Sequence, residues 1–221
     1  MVSVRRASGA VVKPDDALVL AAGDTLVLAG KPEPLALAES RLLGPEVAPI
    51  RRGADANPLV ARLRAGGVAV LLRHATTDPS IGDLPGFDLG ACSTKRNPSA
   101  DGRAQAQRIG VWFKAHRLQP AAVRSSAWCR CVDTAALAFG QVEPWPALNS
   151  FFGEASARER QSSALATALG KIGPQRFEVW VTHQVNMTAL TTEFADMGEG
   201  CVIEGTVPAG VRVVGRSRFG G

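Results

Sequence analysis

Of the three histidines in this chain of 221 residues, two, His74 and His183, each close an apolar run. The runs read Leu71-Leu72-Arg73-His74-Ala75 and Val181-Thr182-His183-Gln184. Imidazole serves as nucleophile, base or acid near neutral pH without a large environmental shift. Arg73 beside His74 points to an anionic substrate. Arg130, in the triplet Cys129-Arg130-Cys131, offers a second guanidinium, a group that can hold two phosphate oxygens at once and stays charged. The expected chemistry is phosphoryl transfer, with His74 attacking phosphorus in line so that hydrolysis divides into phosphorylation and dephosphorylation of the protein. His183, protonated or hydrogen-bonding, would stabilise the equatorial charge. Two arginines and a second histidine already neutralise a phosphoryl group, so neither cofactor nor metal is expected, and activity should survive a chelator.

The elements that must position these groups are legible as apolar periods. Val68 to Leu72 is a continuous run of the kind found in a strand covered on both faces. Ala121 to Arg124 and Phe177 to Thr182 read as two further strands. Helices are expected over about 101–116, 127–139 and 157–171, the last opened by a Ser156-x-x-Glu159 capping box, and another beginning near Val185. Alternating strands and helices of these lengths predict an α/β fold, a mostly parallel sheet with helices on both faces. Ligands of such sheets sit beyond the carboxyl ends of the strands. His74, Arg130 and His183 each follow a different strand.

Taken together, Leu72-Arg73-His74-Ala75, then Ser125-Ser126-Ala127-Trp128-Cys129-Arg130-Cys131-Val132-Asp133-Thr134-Ala135, then Val181-Thr182-His183 resemble the histidine phosphatase superfamily, related to phosphoglycerate mutases. The resemblance covers about residues 66–205. It implies a phosphoglycerate mutase-like fold, a phosphomonoesterase activity without metal, a phosphorylated nucleophile at His74, and a phosphate pocket of Arg73, Arg130 and His183. Cys92-Ser93-Thr94-Lys95-Arg96-Asn97 and Asn149-Ser150-Phe151-Phe152 look most like a bacterial subgroup near lipopolysaccharide heptose phosphatases, whose members are commonly exported.

The leaving alcohol needs a proton, normally from a nearby carboxylic acid. Glu154 follows Arg130 at about the interval where mutase-like members carry their acid, and Asp78, shortly after His74, is the alternative. The acid phosphatase branch places an aspartate directly after the second histidine, where this chain has Gln184. Arg96 and Arg103 could reach substrate, with solvated surface the favoured reading; His116 is read as a charge at a helix C-terminus, and Trp112, Phe113 and Trp180 as packing. Two other readings are a catalytically idle phospho-ligand-binding or regulatory module and a phosphomutase, which would require a closing lid.

Composition narrows the partners. The net charge of +5 comes mostly from arginines spread along the chain, which argues against a nucleic-acid stripe and leaves a small phosphorylated substrate as the expected partner. No run approaches the roughly 20 apolar residues needed to cross a bilayer, so no membrane insertion is expected, and the first residues lack a signal-peptide pattern. A cytoplasmic location follows from the chain as written, or a periplasmic one if its assigned start misleads. Four cysteines are too few for a small disulfide scaffold, and Cys129-Arg130-Cys131 is not the usual zinc spacing. Export would allow a disulfide involving Cys92. Oligomeric state is not legible.

Turn formers and charge between residues 44 and 60 divide the chain. The expected organisation is a small β-β-α segment over 1–44, a linker over 45–65 and a phosphatase domain over 66–221. In the first segment, Val2 to Arg6 and Thr25 to Ala29 read as strands and Glu33 to Leu43 as a helix. Ala22-Gly23-Asp24-Thr25-Leu26-Val27-Leu28-Ala29-Gly30, followed by Lys31-Pro32-Glu33-Pro34, resembles the end of the C-terminal domain of potassium-conductance regulators.

Overall fold

Val68–Arg73 forms a strand whose residues are all buried up to the final arginine, as expected of an unbroken apolar run at the centre of a sheet. It belongs to a computed structural model that describes residues 2–5, 11–12, 15, 18–19, 25–28, 57–78, 80, 82–83, 88–151, 155–206 and 210–220. By its internal contacts the chain divides into two compact units, Met1–Gly53 and Ala54–Gly221. In the first, β1 (Val2–Arg5), β2 (Val11–Val12) and β3 (Thr25–Leu28) form an antiparallel sheet in the order β2-β1-β3. The two expected strands are there, and β2 is additional. The helix expected over Glu33 to Leu43 lies outside the described residues.

The second unit runs α1 (Pro58–Ala65), β4 (Val68–Arg73), α2 (Ala100–Ala115), β5 (Ala122–Ser125), α3 (Cys129–Phe139), β6 (Glu143–Pro144), α4 (Ala155–Leu169), β7 (Phe177–Thr182), α5 (Gln184–Thr191), β8 (Gly200–Thr206) and β9 (Gly210–Ser217). The sheet order is β6-β5-β7-β4-β8-β9. Strands β6, β5, β7 and β4 are parallel, while β8 runs antiparallel to both β4 and β9. The sheet is therefore mostly parallel, as the alternation of elements predicts.

One apolar cluster fills each face. Val60 and Leu63 of α1, Ile109 and Phe113 of α2, and Ala135 of α3 pack against Val70, Leu72, Val179 and Val181. On the other face Leu165 and Leu169 of α4 and Met187 of α5 pack against Leu71, Trp180 and Ile203. Leu71 and Leu72, adjacent in sequence, point to opposite faces, and each fully buried leucine contributes about 2 kcal/mol. Trp180 and Phe113 are core residues, as expected.

Two expectations are corrected here. The linker over 45–65 does not persist to its end, because residues 58–65 form α1. Asn57 caps it, its side chain accepting from the Leu59 N–H, and Pro58 supplies a first-turn residue needing no hydrogen-bond partner. Arg62 of α1 then pairs with Glu204 of β8 at 2.5 Å. The capping box Ser156-x-x-Glu159 is not used, because α4 begins at Ala155 and Ser156 already lies inside it.

Close approach fixes where α2 sits. Ser99 caps it by accepting from the Gly102 N–H at 3.1 Å, and Gly102 lies so near the loop after β4 that a Cβ there would stand 1.9 Å from the Thr76 carbonyl oxygen. Only glycine fits. The segment just past His74 is thereby pressed against the first turn of α2.

Candidate active site

The carboxyl ends of β4, β5 and β7 lie side by side because β7 pairs in parallel with both neighbours. Arg73 is opposite Thr182, and Ser125 opposite Val181. Backbone bonds continue past the ladder, with His74 N–H donating to Thr182 O at 3.1 Å and Ser126 N–H to Val181 O at 2.9 Å. His74, Arg130 and His183 therefore reach one edge, as the spacing predicts. All three are buried, at 3 %, 6 % and 5 % exposure, around a cavity of about 640 Å³ that is also lined by Arg73, Asp83, Arg96, Trp128 and Gln184.

The tautomer of His74 is fixed by its neighbour. Its Nδ1 lies 2.9 Å from the Ala75 carbonyl oxygen. A carbonyl only accepts, so Nδ1 carries the hydrogen and Nε2 keeps its lone pair. Burial first, and then the nearby positive charges of Arg130, Arg73 and Arg96, against that one backbone bond, push its pKa down to about 3. The imidazole is neutral at physiological pH, with its free lone pair on Nε2.

His183 stands at an angle to it, the ring centroids 5.5 Å apart, and occupies the N-cap position of α5. Its Nε2 shares a hydrogen bond of 2.8 Å with Ser126 Oγ, and Trp128 packs edge-on at 5.4 Å. Burial, followed by His74 and the arginines, holds its pKa well below the ordinary histidine value. A dianion arriving between the two rings would reverse that balance, because an opposite charge favours the protonated form.

Arg73 donates from Nη1 to the Ala195 carbonyl at 2.6 Å, and its guanidinium lies 5.6 Å from the Phe194 ring centroid. Burial, opposed by Asp196 and aided by Arg96, lowers its pKa. Gln184, where the acid phosphatase branch carries an aspartate, is a strut: Oε1 accepts from Ala195 N–H and Nε2 donates to Glu193 O. Ala195 is thus held against both the first residue of α5 and Arg73.

Thr134, which sequence reasoning passed over, joins the segment just past His74 to Arg130. Its Oγ1 accepts from the Ala75 N–H at 2.9 Å and donates to the Arg130 carbonyl at 2.6 Å. Asn149 does comparable work on the other side, its Oδ1 accepting from Ala127 N–H at 2.8 Å. A threonine one helical turn after Arg130 was visible in the sequence, but its partner, Ala75 in the loop after β4, was not.

Arg130 is not free. Its Nη1 donates to Asp83, 2.9 Å from Oδ1 and 3.3 Å from Oδ2. Arg96, for which solvated surface was the favoured reading over reach to substrate, instead lines the cavity, and its backbone N–H donates to the same Oδ1 at 2.9 Å. That expectation fails because Cys92 is bonded to Cys129, which ties the loop carrying Arg96 to the first residue of α3. The disulfide also removes Cys129 from any metal site. Cys131, by contrast, is a buried thiol that burial pushes up to about 12. Among the described residues, no cluster of histidine, cysteine and carboxylates could hold a metal. Arg103 behaves as expected, pairing with Asp133 at the surface.

Of the two expected acids, Glu154 lies outside the described residues. Asp78 turns away, its carboxylate accepting from Ser80 N–H at 2.9 Å and from Ser80 Oγ at 2.6 Å, and it does not line the cavity. The Nε atoms of Arg73, Arg96 and Arg130 are buried without a hydrogen-bond partner. Three guanidiniums short of acceptors around two neutral imidazoles make a pocket for a multiply charged oxyanion.

No family model matches the chain, and no curated protein matches it. Solved structures do. A protein from Escherichia coli assigned as an α-ribazole-5′-phosphate phosphatase superposes with a TM-score of 0.52 at 18 % identity, covering 70 % of this chain and 98 % of that one. The fold is that of the histidine phosphatases. A second histidine phosphatase structure, a phosphoserine phosphatase mutant from Entamoeba histolytica in complex with phosphoserine, has a TM-score of 0.50 at 12 % identity and covers 69 % of this chain and 98 % of that one. Among the described residues this fold is a six-stranded sheet with five α-helices, and none of those helices is long and apolar enough to cross a membrane.

Proposed function

We propose that this protein is a phosphomonoesterase that forms a phosphohistidine at Nε2 of His74 and hydrolyses it without a metal ion. The observation that carries this reading is the Nδ1 bond to the Ala75 carbonyl, which leaves a neutral, buried Nε2 lone pair in a cavity shared with Arg73, Arg130 and His183. Arg73 and Arg130 hold the phosphoryl oxygens, and His183 takes up a proton as negative charge arrives and stabilises the equatorial oxygens. The cavity accepts a small phosphorylated substrate.

The Cys92–Cys129 disulfide supports a place of work in an oxidising compartment such as the periplasm, because cytosolic thiols are kept reduced.

Hydrolysis of 4-nitrophenyl phosphate, with and without chelator, by the parent protein and by His74→Ala tests the reading. The expected result is chelator-resistant turnover by the parent alone, with an acid-labile phosphoenzyme trapped by rapid quench. Equal turnover by both proteins overturns it. Phosphate binding with no phosphoenzyme would instead identify a binding module.

A further inference from the structure

Among the described residues lining the cavity, Asp83 is the one carboxylate. Its position is built rather than incidental. Both oxygens face Arg130 Nη1, Oδ1 also accepts the Arg96 N–H, and its side chain keeps 27 % exposure where that of Arg130 has 7 %. The carboxylate is thus the more exposed partner of the pair, on the solvent side of the buried Arg130 guanidinium. Asp78, the alternative to Glu154 as the acid expected from sequence, is engaged with Ser80 outside the cavity.

We propose that Asp83 is the proton donor to the leaving alcohol, held on Arg130 until a phosphate ester displaces it; this deepens, and rests on, the phosphatase reading. A phosphate dianion is a stronger partner for a guanidinium than a single carboxylate, and it can engage two N–H groups in parallel. When the ester takes Arg130, Asp83 stays at the cavity mouth, because its second anchor, the Arg96 N–H, belongs to the loop bonded through Cys92 to Cys129.

The exchange also changes its acidity. At rest, burial raises the carboxyl pKa, but the Arg96 N–H and Arg130 outweigh it, so the group is held below the usual carboxylate range. Losing Arg130 to the substrate and gaining a dianion as neighbour both favour the protonated form. The proton is acquired on substrate binding.

The step then balances. His74 Nε2 donates its lone pair to phosphorus as the bond from phosphorus to the ester oxygen breaks. The departing oxygen takes the electron pair of that bond and the Asp83 proton, giving a neutral alcohol. In the second half Asp83, now a carboxylate, accepts a proton from the water that attacks phosphorus, and the nitrogen–phosphorus bond breaks to restore His74. No external oxidant, reductant or co-reactant is consumed.

Leaving-group dependence reads this directly, since an alkoxide needs a proton to depart whereas 4-nitrophenolate does not. Turnover of glycerol 2-phosphate and of 4-nitrophenyl phosphate would be measured for the parent, Asp83→Asn, Asp83→Glu and Glu154→Gln. Asp83→Asn is expected to lose kcat on the alkyl ester by about 100-fold more than on the aryl ester, the scale of general-acid catalysis. Asp83→Glu should recover part of that difference. Equal losses or equal gains on both esters would overturn the assignment and leave Asp83 as a counterion to Arg130. The same outcome follows if Glu154→Gln carries the alkyl-selective loss. A parent protein that turns over neither ester overturns the phosphatase reading itself.

Discussion

Cys129, bonded to Cys92, is the residue immediately before Arg130. One covalent bond therefore fixes the loop that supplies Arg96 to the helix start that supplies the central arginine of the cavity.

Reduction of that bond should cost both stability and affinity. It closes a sequence separation of 37 residues, for which chain entropy contributes about 4 kcal/mol. For a unit of this size that corresponds to a fall in Tm of about 10 °C. Thermal melts with and without reductant, and with Cys92→Ser, check it. Phosphate affinity, read by titration calorimetry, should fall in parallel as Arg96 loses its place.

Acid should unfold this protein unusually early. His74, at about 3, and His183 both have folded-state pKa values below the ordinary 6.5. Between those limits the unfolded chain binds more protons than the folded one, so stability rises with pH. The stabilisation is complete above about pH 6.5 and lost as pH falls toward 3. Urea titrations across that interval should show a steep decline, flattened in His74→Gln and moved to lower denaturant dependence on pH when phosphate is present.

Thr134→Val should damage both the scaffold and the chemistry. It leaves the buried Ala75 N–H without its acceptor, a cost of about 1–3 kcal/mol. Because Ala75 holds the His74 ring, kcat should fall more than KM rises. Thr134→Ser, which keeps the hydroxyl, should restore most of the rate. A loss of stability with unchanged kcat would show that Thr134 only packs.

Gly102→Ala should destabilise the second unit by about 2 kcal/mol, the scale of overpacking against fixed backbone, since the added carbon would meet the Thr76 carbonyl oxygen at 1.9 Å. The loop after His74 would have to move, so denaturation midpoint and turnover should fall together.

The parallel strands were legible because each is a local property of the chain. Val68–Arg73 and Phe177–Thr182 are unbroken apolar runs, and the residue that follows each is fixed by sequence adjacency. Strands β8 and β9 were missed. The second carries interspersed glycine and arginine, Gly210-Val211-Arg212-Val213-Val214-Gly215-Arg216-Ser217, which reads as no clean period. Helix α1 was hidden for a similar reason, its turn-forming Asn57-Pro58 serving as a helix start rather than a break.

That His74, Arg73, Arg130 and His183 would meet at one edge was thus legible in the sequence alone, since strand ends in a parallel sheet converge there. Tertiary structure decided what surrounds them. Asp83, Arg96 and the Cys92–Cys129 bond come from a loop without periodicity, and Thr134 acts through a partner on another element. Local sequence sets which residues terminate a strand, whereas which loop carboxylate reaches a buried guanidinium depends on distances that exist only once the sheet and its helices have packed.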